Sequence, residues 1–179
     1  YAANRGKTCV TADFRTPEGQ AKVRDLVAGA DILIENFKVG GLAKYGLDYE
    51  SLAEVNPRLI YCSVTGFGQD GPYASRAGYD FLLQGMSGLM SITGAAEGEP
   101  QKVGVAITDV VTGLYGSIGI LAAVEQRHRT GRAHGLALPV LPGTRRTVPT
   151  GHRRRARLRA LRRKSNSDAA GIRPRAAAG

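Results

Sequence analysis

The chain has 179 residues, enough to bury the core of one domain, and a formal net charge of +10 at pH 7. Residues 1–132 hold 13 Lys and Arg against 14 Asp and Glu, whereas residues 133–179 hold 12 Lys and Arg and one Asp. The basic excess lies entirely after Arg132, so the charge of the whole chain does not make residues 1–132 a nucleic-acid-binding domain.

Two cysteines, Cys9 and Cys62, lie in apolar, strand-like runs without metal-ligand spacing, and the three histidines show no such spacing either. We expect two buried, reduced thiols, a cytoplasmic protein and no metal. No apolar leader segment opens the chain. The longest uncharged apolar run, residues 110–124, has 15 residues. A membrane span needs roughly 20, so we expect a buried core helix there and no membrane partner.

The first predicted elements follow the N-terminal segment. Residues 8–12 form a short β-prone run. Thr16, Pro17 and Glu18 then have the order of an N-cap, an N1 proline and a first-turn acid, which predicts a helix over residues 17–28.

A regular alternation of strands and helices comes next. Residues 31–37 are predicted to form a buried strand, residues 40–46 a helical turn, residues 49–55 a helix capped by Asp48, and residues 59–65 a second strand. This order is typical of an α/β fold with a Rossmann-like parallel sheet and crossover helices.

The second half of the chain is richer in glycine. Two polar loops, residues 66–75 and 94–100, flank a predicted helix at residues 79–86, and the longest helix is predicted over residues 109–128, with Gly131 as its C-cap. Glycines recur every third residue at Gly113, Gly116 and Gly119. Glycine lowers helix stability, so their repetition predicts another backbone packed close to that face.

Residues 133–179 differ from everything before them. They contain 11 Arg and no aromatic residue, and no apolar period is long enough to bury a face. We predict a disordered basic tail. Its clustered arginines are able to contact phosphates, but aromatic residues for base stacking are missing. A bias toward Arg, Ala, Pro and Gly is also what GC-rich DNA gives when it is read out of frame, and we favour a frameshift product over a genuine tail.

Asp109 is the candidate catalytic residue. It stands between an apolar run, residues 103–107, and the apolar segment 110–124, where a carboxylate has few surface reasons to occur. At a helix N-terminus the helix dipole favours the ionised form, and such a carboxylate is able to act as a nucleophile. The local sequence leaves an ordinary N-cap aspartate open as the alternative.

The sequence around Asp109 carries a family resemblance. GYDF (78–81), SGLMSITG (87–94), VGVAITDVVTGLYG (103–116) and TGR (130–132) occur in an order that resembles the class III CoA-transferases, the CaiB/BaiF family. The resemblance extends over about residues 4–132 and stops at Ala133. It implies a CoA-binding α/β region over residues 1–132, incomplete at both ends, from a longer protein that forms an interlocked homodimer.

The resemblance also implies residue roles. Asp109 matches the catalytic nucleophile, and the CoA-binding positions fall in four groups. The groups are Ala12, Asp13, Phe14 and Arg15; Asn36, Phe37 and Lys38; Lys44; and Ala77, Gly78, Tyr79 and Asp80. Two of these groups follow strand ends, which is where open parallel sheets bind ligands.

The implied reaction transfers CoA from an acyl-CoA donor to a carboxylic acid acceptor through anhydride and aspartyl-CoA intermediates on Asp109. Coenzyme A enters as the acyl-CoA substrate. The sequence around Asp109 resembles the branch of the family that uses succinyl-CoA and dicarboxylates as substrates more than the branch that uses formyl-CoA and oxalate. We expect this chain to be inactive by itself, because it lacks the glycine-rich lid that family members place downstream.

The sequence has features of three other kinds of protein. An α-methylacyl-CoA racemase resembles the chain, but racemases carry histidine where this chain has Tyr79, and a tyrosine with a pKa of about 10 is a poor base at neutral pH. GFGQDG (66–71) fits a dinucleotide-binding pattern formally, yet a polar loop rather than a helix follows it. A nucleic-acid-binding protein with a basic tail is the non-enzyme alternative.

Overall fold

The structure is a computed structural model that describes residues 4–131, 133 and 135–140. The helices are α1 (Pro17–Ala28), α2 (Tyr49–Val55), α3 (Asp80–Met86) and α4 (Ile107–Thr130), and the strands are β1 (Ile32–Glu35), β2 (Ile60–Thr65) and β3 (Gly135–Pro139). Short 3₁₀ turns lie at Ala43–Tyr45 and Leu89–Ile92.

The strands form a parallel sheet in the order β1, β2, β3, with Ile32 opposite Ile60 and Tyr61 opposite Gly135. Helix α2 connects β1 to β2, and helices α3 and α4 connect β2 to β3. The predicted α/β fold with a parallel sheet and crossover helices is confirmed.

Strand β3 corrects the predicted boundary of the ordered part. Disorder was predicted from residue 133, but Gly135–Pro139 pairs with β2 along its length, and the Val140 N–H donates to the Thr65 carbonyl at 2.8 Å. The apolar run GLALP is only five residues long, so the sequence did not distinguish it from the tail that follows. Residues 141–179, and the prediction of a disordered basic tail for them, lie outside the described residues.

Central strand β2 is covered on both faces, as strands inside parallel sheets generally are. Tyr61 belongs to a buried cluster with side chains of α1, α2 and the turn between β1 and α2; its other members are Val27, Leu42, Leu47, Leu52 and Leu59. The preceding residue, Ile60, points to the opposite face and packs with Ala123 of α4 and Ala133. Central strand β2 therefore anchors both layers.

Helices α1 and α2 have the predicted bounds. The Thr16 hydroxyl accepts a hydrogen bond from the Gly19 N–H at 3.1 Å. Pro17 occupies the first turn, where backbone N–H groups have no acceptor within the helix, so the N–H that proline lacks costs no hydrogen bond. Asp48 is the N-cap residue of α2, and Asn56 ends that helix.

Three predictions about the N-terminal part are wrong. Residues 8–12 form no strand, and Cys9 is exposed, whereas Cys62 is buried as expected. Strand β1 is not buried, because it lies at the sheet edge and its Ile34 side chain is 63% exposed. Apolar composition predicted the location of β1 but not the covering of its faces.

Helix α4 also departs from expectation. It begins at Ile107, so Asp109 lies in the first turn and Ala106 is the N-cap residue. Its apolar side chains include Leu114 and Leu121, which are 62% and 68% exposed, so the prediction of a buried core helix is wrong. By length and composition α4 passes the criterion for a membrane span, a criterion that core helices of globular proteins also meet.

Two glycines of α4, Gly113 and Gly119, have open surroundings. A Cβ atom on Gly113 would meet no atom within 4 Å, and one on Gly119 would meet the Leu136 side chain at 3.9 Å. The predicted close backbone contact is therefore wrong at these two positions.

Candidate active site

A cavity of about 600 Å³ lies at the carboxyl ends of β1 and β2, against the N-terminal half of α4. Its walls come from residues 36–39 after β1, the end of β2 with Gly66, residues 76–80, and the α4 face that carries Asp109 and Thr112. This is the edge at which open parallel sheets bind ligands.

The cavity wall brings together Asp109 and two of the four predicted CoA-binding groups. These are Asn36, Phe37 and Lys38 after β1, and Ala77, Gly78, Tyr79 and Asp80 before and at the start of α3. Ala12, Asp13, Phe14, Arg15 and Lys44 do not line the cavity.

An aromatic row connects the remaining groups to the cavity. The ring of Phe14 lies 5.6 Å from that of cavity residue Phe37 and 5.1 Å from that of Tyr45, both in edge-on geometry. The Lys44 ammonium lies 4.7 Å from the centre of the Tyr45 ring. A ligand that leaves the cavity past Phe37 would therefore meet Phe14 and then the Lys44 side chain.

Arg15 and Asp13 form a local exposed pair. Arg15 Nε donates to Asp13 Oδ1 and Arg15 Nη2 donates to Asp13 Oδ2, each at 2.9 Å. The hydrogen bonds from Arg15 lower the pKa of Asp13 below its usual value. Arg15 thus lies beyond the cavity and already has an anionic partner.

Two glycine backbones touch at the cavity wall. A Cβ atom on Gly78 would lie 2.4 Å from the Cα atom of Gly66, and one on Gly66 would lie 2.5 Å from the Cα atom of Gly78. This contact places Tyr79 and Asp80 beside the end of β2. The sequence pattern identified Gly66 only as part of a loop, because a contact between distant glycines leaves no local pattern.

Asp80 lies beside the first turn of α4. Its Oδ1 atom accepts hydrogen bonds from the Thr108 N–H at 2.8 Å, from the Thr108 hydroxyl, and from the Asp109 N–H at 3.3 Å. Its Oδ2 atom accepts a hydrogen bond from Gln84 Nε2 at 2.6 Å. The Asp109 carboxylate is exposed to the cavity, and no described residue donates a hydrogen bond to it.

The two carboxylates have opposite pKa shifts. The protein atoms around the exposed Asp109 carboxylate remove part of its hydration and so raise its pKa, and the negative charge of Asp80 raises that pKa further. Burial also acts to raise the pKa of Asp80, but the hydrogen bonds from Thr108 and Gln84 outweigh it and lower that pKa below its usual value. The helix N-terminus was expected to favour the ionised form of Asp109, but the two effects that raise its pKa outweigh this. Asp109 is therefore the more basic carboxylate of the two.

Sequence patterns missed several residues of this site. Thr108 and Gln84 contact Asp80, and Arg76 lines the cavity with its guanidinium carbon 4.4 Å from the centre of the Tyr73 ring. A glutamine in the apolar helix FLLQGM is the one signal that marks Gln84 as unusual. Among the described residues, no group of three or more His, Cys, Asp or Glu is arranged to hold a metal ion.

Comparison with known proteins gives matches over most of the chain. Residues 1–162 match the family described as CoA-transferase family III. The matched range runs past Ala133, where the sequence resemblance was expected to stop.

Curated relatives include three transferases. The chain is 57% identical over 141 residues to the succinate–glutarate CoA-transferase of Agrobacterium fabrum, covering 79% of this chain and 35% of that protein. It is 43% identical over 131 residues to the human succinyl-CoA:glutarate CoA-transferase, covering 73% and 30%. It is 39% identical over 142 residues to the acetyl-CoA:oxalate CoA-transferase of Acetobacter aceti, covering 79% and 36%.

A solved structure gives the same result. The fold matches a CaiB/BaiF family protein from Brucella suis with a TM-score of 0.74 and 60% identity, covering 75% of this chain and 36% of that one. The chain thus spans about a third of the length of the relatives that it matches.

Proposed function

The chain belongs to CoA-transferase family III, and on that premise we propose that it carries the nucleophile and part of the CoA site of an enzyme that moves CoA from a dicarboxylic acyl-CoA to a dicarboxylic acid. The observation that carries this proposal is the Asp109 carboxylate. It faces the cavity without a hydrogen-bond donor among the described residues, and its basicity is raised by burial and by Asp80.

The proposed reaction begins at this carboxylate. Asp109 attacks the carbonyl carbon of the donor thioester, and CoA leaves as a thiolate from the acyl-aspartyl anhydride. The thiolate attacks the Asp109 carbonyl of the anhydride, which releases the donor acid and leaves an aspartyl-CoA thioester. A raised basicity strengthens Asp109 as a nucleophile once it has lost its proton.

The second half repeats these steps in reverse order. The acceptor carboxylate attacks the aspartyl-CoA thioester, which again gives an anhydride and a CoA thiolate. The thiolate attacks the acceptor carbonyl, forms the new acyl-CoA and regenerates the Asp109 carboxylate. The anhydride reacts readily with water, so water must be excluded while it exists. The described residues leave the cavity open, which supports the expectation that residues 1–179 do not turn over substrates by themselves.

Cationic residues of the cavity support an anionic substrate. Lys38 follows β1 and Arg76 precedes α3, so positive charges stand on two walls of the cavity that holds Asp109. We assign CoA to the Asn36–Phe37–Lys38 side and continue its path along Phe14 to Lys44. A dicarboxylic acceptor is favoured because the relatives with succinate and glutarate in their names are among the more similar ones.

The racemase alternative gains no support from the site. That reaction needs two bases, and the described cavity wall holds Tyr79 but no histidine. The binding of nucleic acid would depend on the tail, which lies outside the described residues. An interlocked homodimer and a cytoplasmic location stay predictions.

The test is a chimera with a relative of complete length. Residues 4–131 replace the aligned segment of the Agrobacterium fabrum succinate–glutarate CoA-transferase, and exchange of CoA between succinyl-CoA and glutarate is assayed. We expect activity in the chimera and a loss of at least about a thousandfold in its Asp109→Asn variant. Hydroxylamine added during turnover should convert Asp109 to a hydroxamate that mass spectrometry locates. A fully active Asp109→Asn chimera, or a hydroxamate on another residue, would remove Asp109 from this role.

A further inference from the structure

Helix α4 begins without a capping side chain of its own. Its N-cap residue is Ala106, whose side chain has no oxygen atom, and the backbone N–H groups of the first turn have no acceptor within the helix. Thr108 and Asp109 are the second and third residues of that turn. Both of their N–H groups point to one atom, Asp80 Oδ1, at 2.8 Å and 3.3 Å. Asp80 thus caps α4 from a different helix.

Asp80 is itself held in place by Gln84, one turn later on α3. Gln84 is 1% exposed and donates to Asp80 Oδ2 at 2.6 Å. The same amide donates to the Val105 carbonyl at 3.2 Å, and its oxygen accepts from the Val103 N–H at 2.8 Å. Gln84 therefore fixes both the capping carboxylate and the segment that leads into α4.

We infer that Asp80, braced by Gln84, is a positioning residue that fixes the first turn of α4 and thereby the direction of the Asp109 carboxylate. Both Asp80 oxygens accept hydrogen bonds within the protein, which gives its side chain a structural role beside the CoA contact that the sequence resemblance implied for this position. The inference rests on the proposed role of Asp109 as the nucleophile. The capping geometry holds independently of that role.

The position of Asp80 has an electrostatic consequence. Its carboxylate lies beside the first turn of α4, so its negative charge acts on Asp109 at short range. The other charged or titratable groups of the described cavity wall are Lys38, Arg76, Tyr79 and Cys62. Lys38 and Arg76 act in the opposite sense to Asp80. Removing the Asp80 charge should therefore lower the pKa of Asp109, whereas a purely structural contact would leave that pKa unchanged.

The experiment uses the 179-residue chain and needs no substrate. The pKa of Asp109 is measured by NMR of the aspartate carboxyl carbons, with Asp109→Asn to assign the signal, and hydrogen exchange is measured at the Thr108 and Asp109 amides. Asp80→Asn keeps the shape and an acceptor oxygen but removes the charge. Asp80→Ala removes the cap altogether. Asp70→Asn, in the exposed loop after β2, is the matched control.

We expect Asp80→Asn to lower the pKa of Asp109 and to raise both exchange rates modestly. Asp80→Ala should raise them about tenfold or more, the effect of losing a charge-assisted hydrogen bond. Asp70→Asn should change neither quantity. If Asp80→Ala does not fold, Asp80→Asn alone decides the matter.

If the Thr108 and Asp109 amides exchange at wild-type rates in the Asp80 variants, Asp80 does not cap α4. If the pKa of Asp109 is unchanged in Asp80→Asn, the charge of Asp80 does not act on the Asp109 carboxylate. These outcomes are separate from the fate of the proposed function. If the chimera forms no hydroxamate at Asp109 while the Asp80 variants behave as expected, the proposed reaction fails and the capping of α4 by Asp80 stands.

Discussion

Asp109 and Asp80 lie on neighbouring helices, yet folding changes their affinity for protons in opposite directions. Burial and the charge of Asp80 raise the pKa of Asp109, whereas hydrogen bonds lower the pKa of Asp80 despite its burial. Two carboxylates whose pKa values are separated in this way are able to take different roles. Asp80 keeps its charge and organises the first turn of α4, and Asp109 is left as the more basic and more reactive group.

The raised pKa of Asp109 predicts a stability effect. The folded chain holds the Asp109 proton more tightly than the unfolded chain, so this residue stabilises the fold at low pH and loses that contribution as pH rises through its folded pKa. Asp109→Asn should therefore raise the unfolding temperature at pH 7, by only about 1–2 °C because the carboxylate is exposed and screened. Thermal unfolding of both proteins from about pH 4 to about pH 8 measures this difference, which should shrink toward the acid end.

Asp80→Asn should do the reverse. The folded pKa of Asp80 is depressed, so its stabilising contribution is present above the ordinary aspartate pKa of about 3.9 and is lost as pH falls through the folded value. The variant should unfold at a lower temperature than the wild type at pH 7, and the two curves should approach each other in acid. Shifts of the same sign for Asp80→Asn and Asp109→Asn would contradict the opposite assignment of the two carboxylates.

Some residues of the site could be predicted from the sequence, and others could not. Asp109, Asn36, Phe37 and Lys38 were predicted to belong together, and the structure places them around one cavity. The part played by Gln84 was not predictable, because its partners lie up to 21 residues away. Hydrogen bonds between distant segments produce no periodicity, so a sequence shows at most that a polar residue stands in an apolar helix.

Among the secondary-structure elements, the segment that leads into α3 depends on close packing with the end of β2. Gly66 and Gly78 approach so closely that a Cβ atom on either one would lie within 2.5 Å of the other. We expect Gly78→Ala to cost about 2–3 kcal/mol of unfolding free energy and to move Tyr79 and Asp80 away from the cavity. Urea unfolding and the exchange rate of the Thr108 amide measure the two effects.

Gly104→Ala provides the matched control, since a Cβ atom at Gly104 would meet nothing within 4 Å. This variant should leave both the unfolding free energy and the Thr108 amide almost unchanged. An equal loss of unfolding free energy in the two variants would contradict a specific role for the contact between the glycines, because the entropy of the unfolded chain changes in the stabilising direction on a Gly→Ala substitution.

The far end of α4 is tied to the sheet by Arg127. Its guanidinium is 6% exposed and donates to the carbonyl of Arg58 at 2.9 Å and to the carboxylate of Asp31 at 2.8 Å. The Asp31 side chain is 76% exposed, so the ion pair itself contributes little. We expect Arg127→Met to cost about 2–3 kcal/mol, because the Arg58 carbonyl loses its partner, and Asp31→Asn to cost less than about 1 kcal/mol. Urea unfolding measures the unfolding free energy of both variants. Equal losses in Arg127→Met and Asp31→Asn would instead make the Arg127–Asp31 ion pair the main source of stability.

Local sequence predicted the helices better than it predicted burial. Thr16 accepts a capping bond from the neighbouring Gly19 N–H, and Asp48 and Asn56 stand at the two ends of α2, so local residues placed α1 and α2 correctly. The exposure of β1 depends on which segments cover the sheet, and that information is not local. Strand β3 was missed for a similar reason, since its pairing with β2 and not its short apolar run defines it.

For the molecule as a whole, helix α4 has a large exposed apolar surface among the described residues. The chain spans about a third of the length of its relatives, and Leu114, Ile118 and Leu121 form an exposed apolar row on one face of the helix. Soluble proteins rarely leave such a row in contact with water. At this scale the chain therefore has more apolar helix surface than its own described residues cover.

This surface should make the 179-residue chain self-associate. Replacing Leu114, Ile118 and Leu121 together by Gln should shift the sedimentation profile toward the monomer and reduce the binding of a hydrophobic dye. The unfolding free energy should change by less than about 0.5 kcal/mol per site, because exposed side chains contribute little to the fold. Val124→Gln is the contrasting control, since Val124 packs against the core beneath α4. It should lower stability and leave the dye-binding surface in place.

A wild-type chain that sediments as a monomer at high concentration, with no dye binding, would mean that residues beyond the described part cover the row, and the assignment of α4 as an uncovered helix would then be wrong.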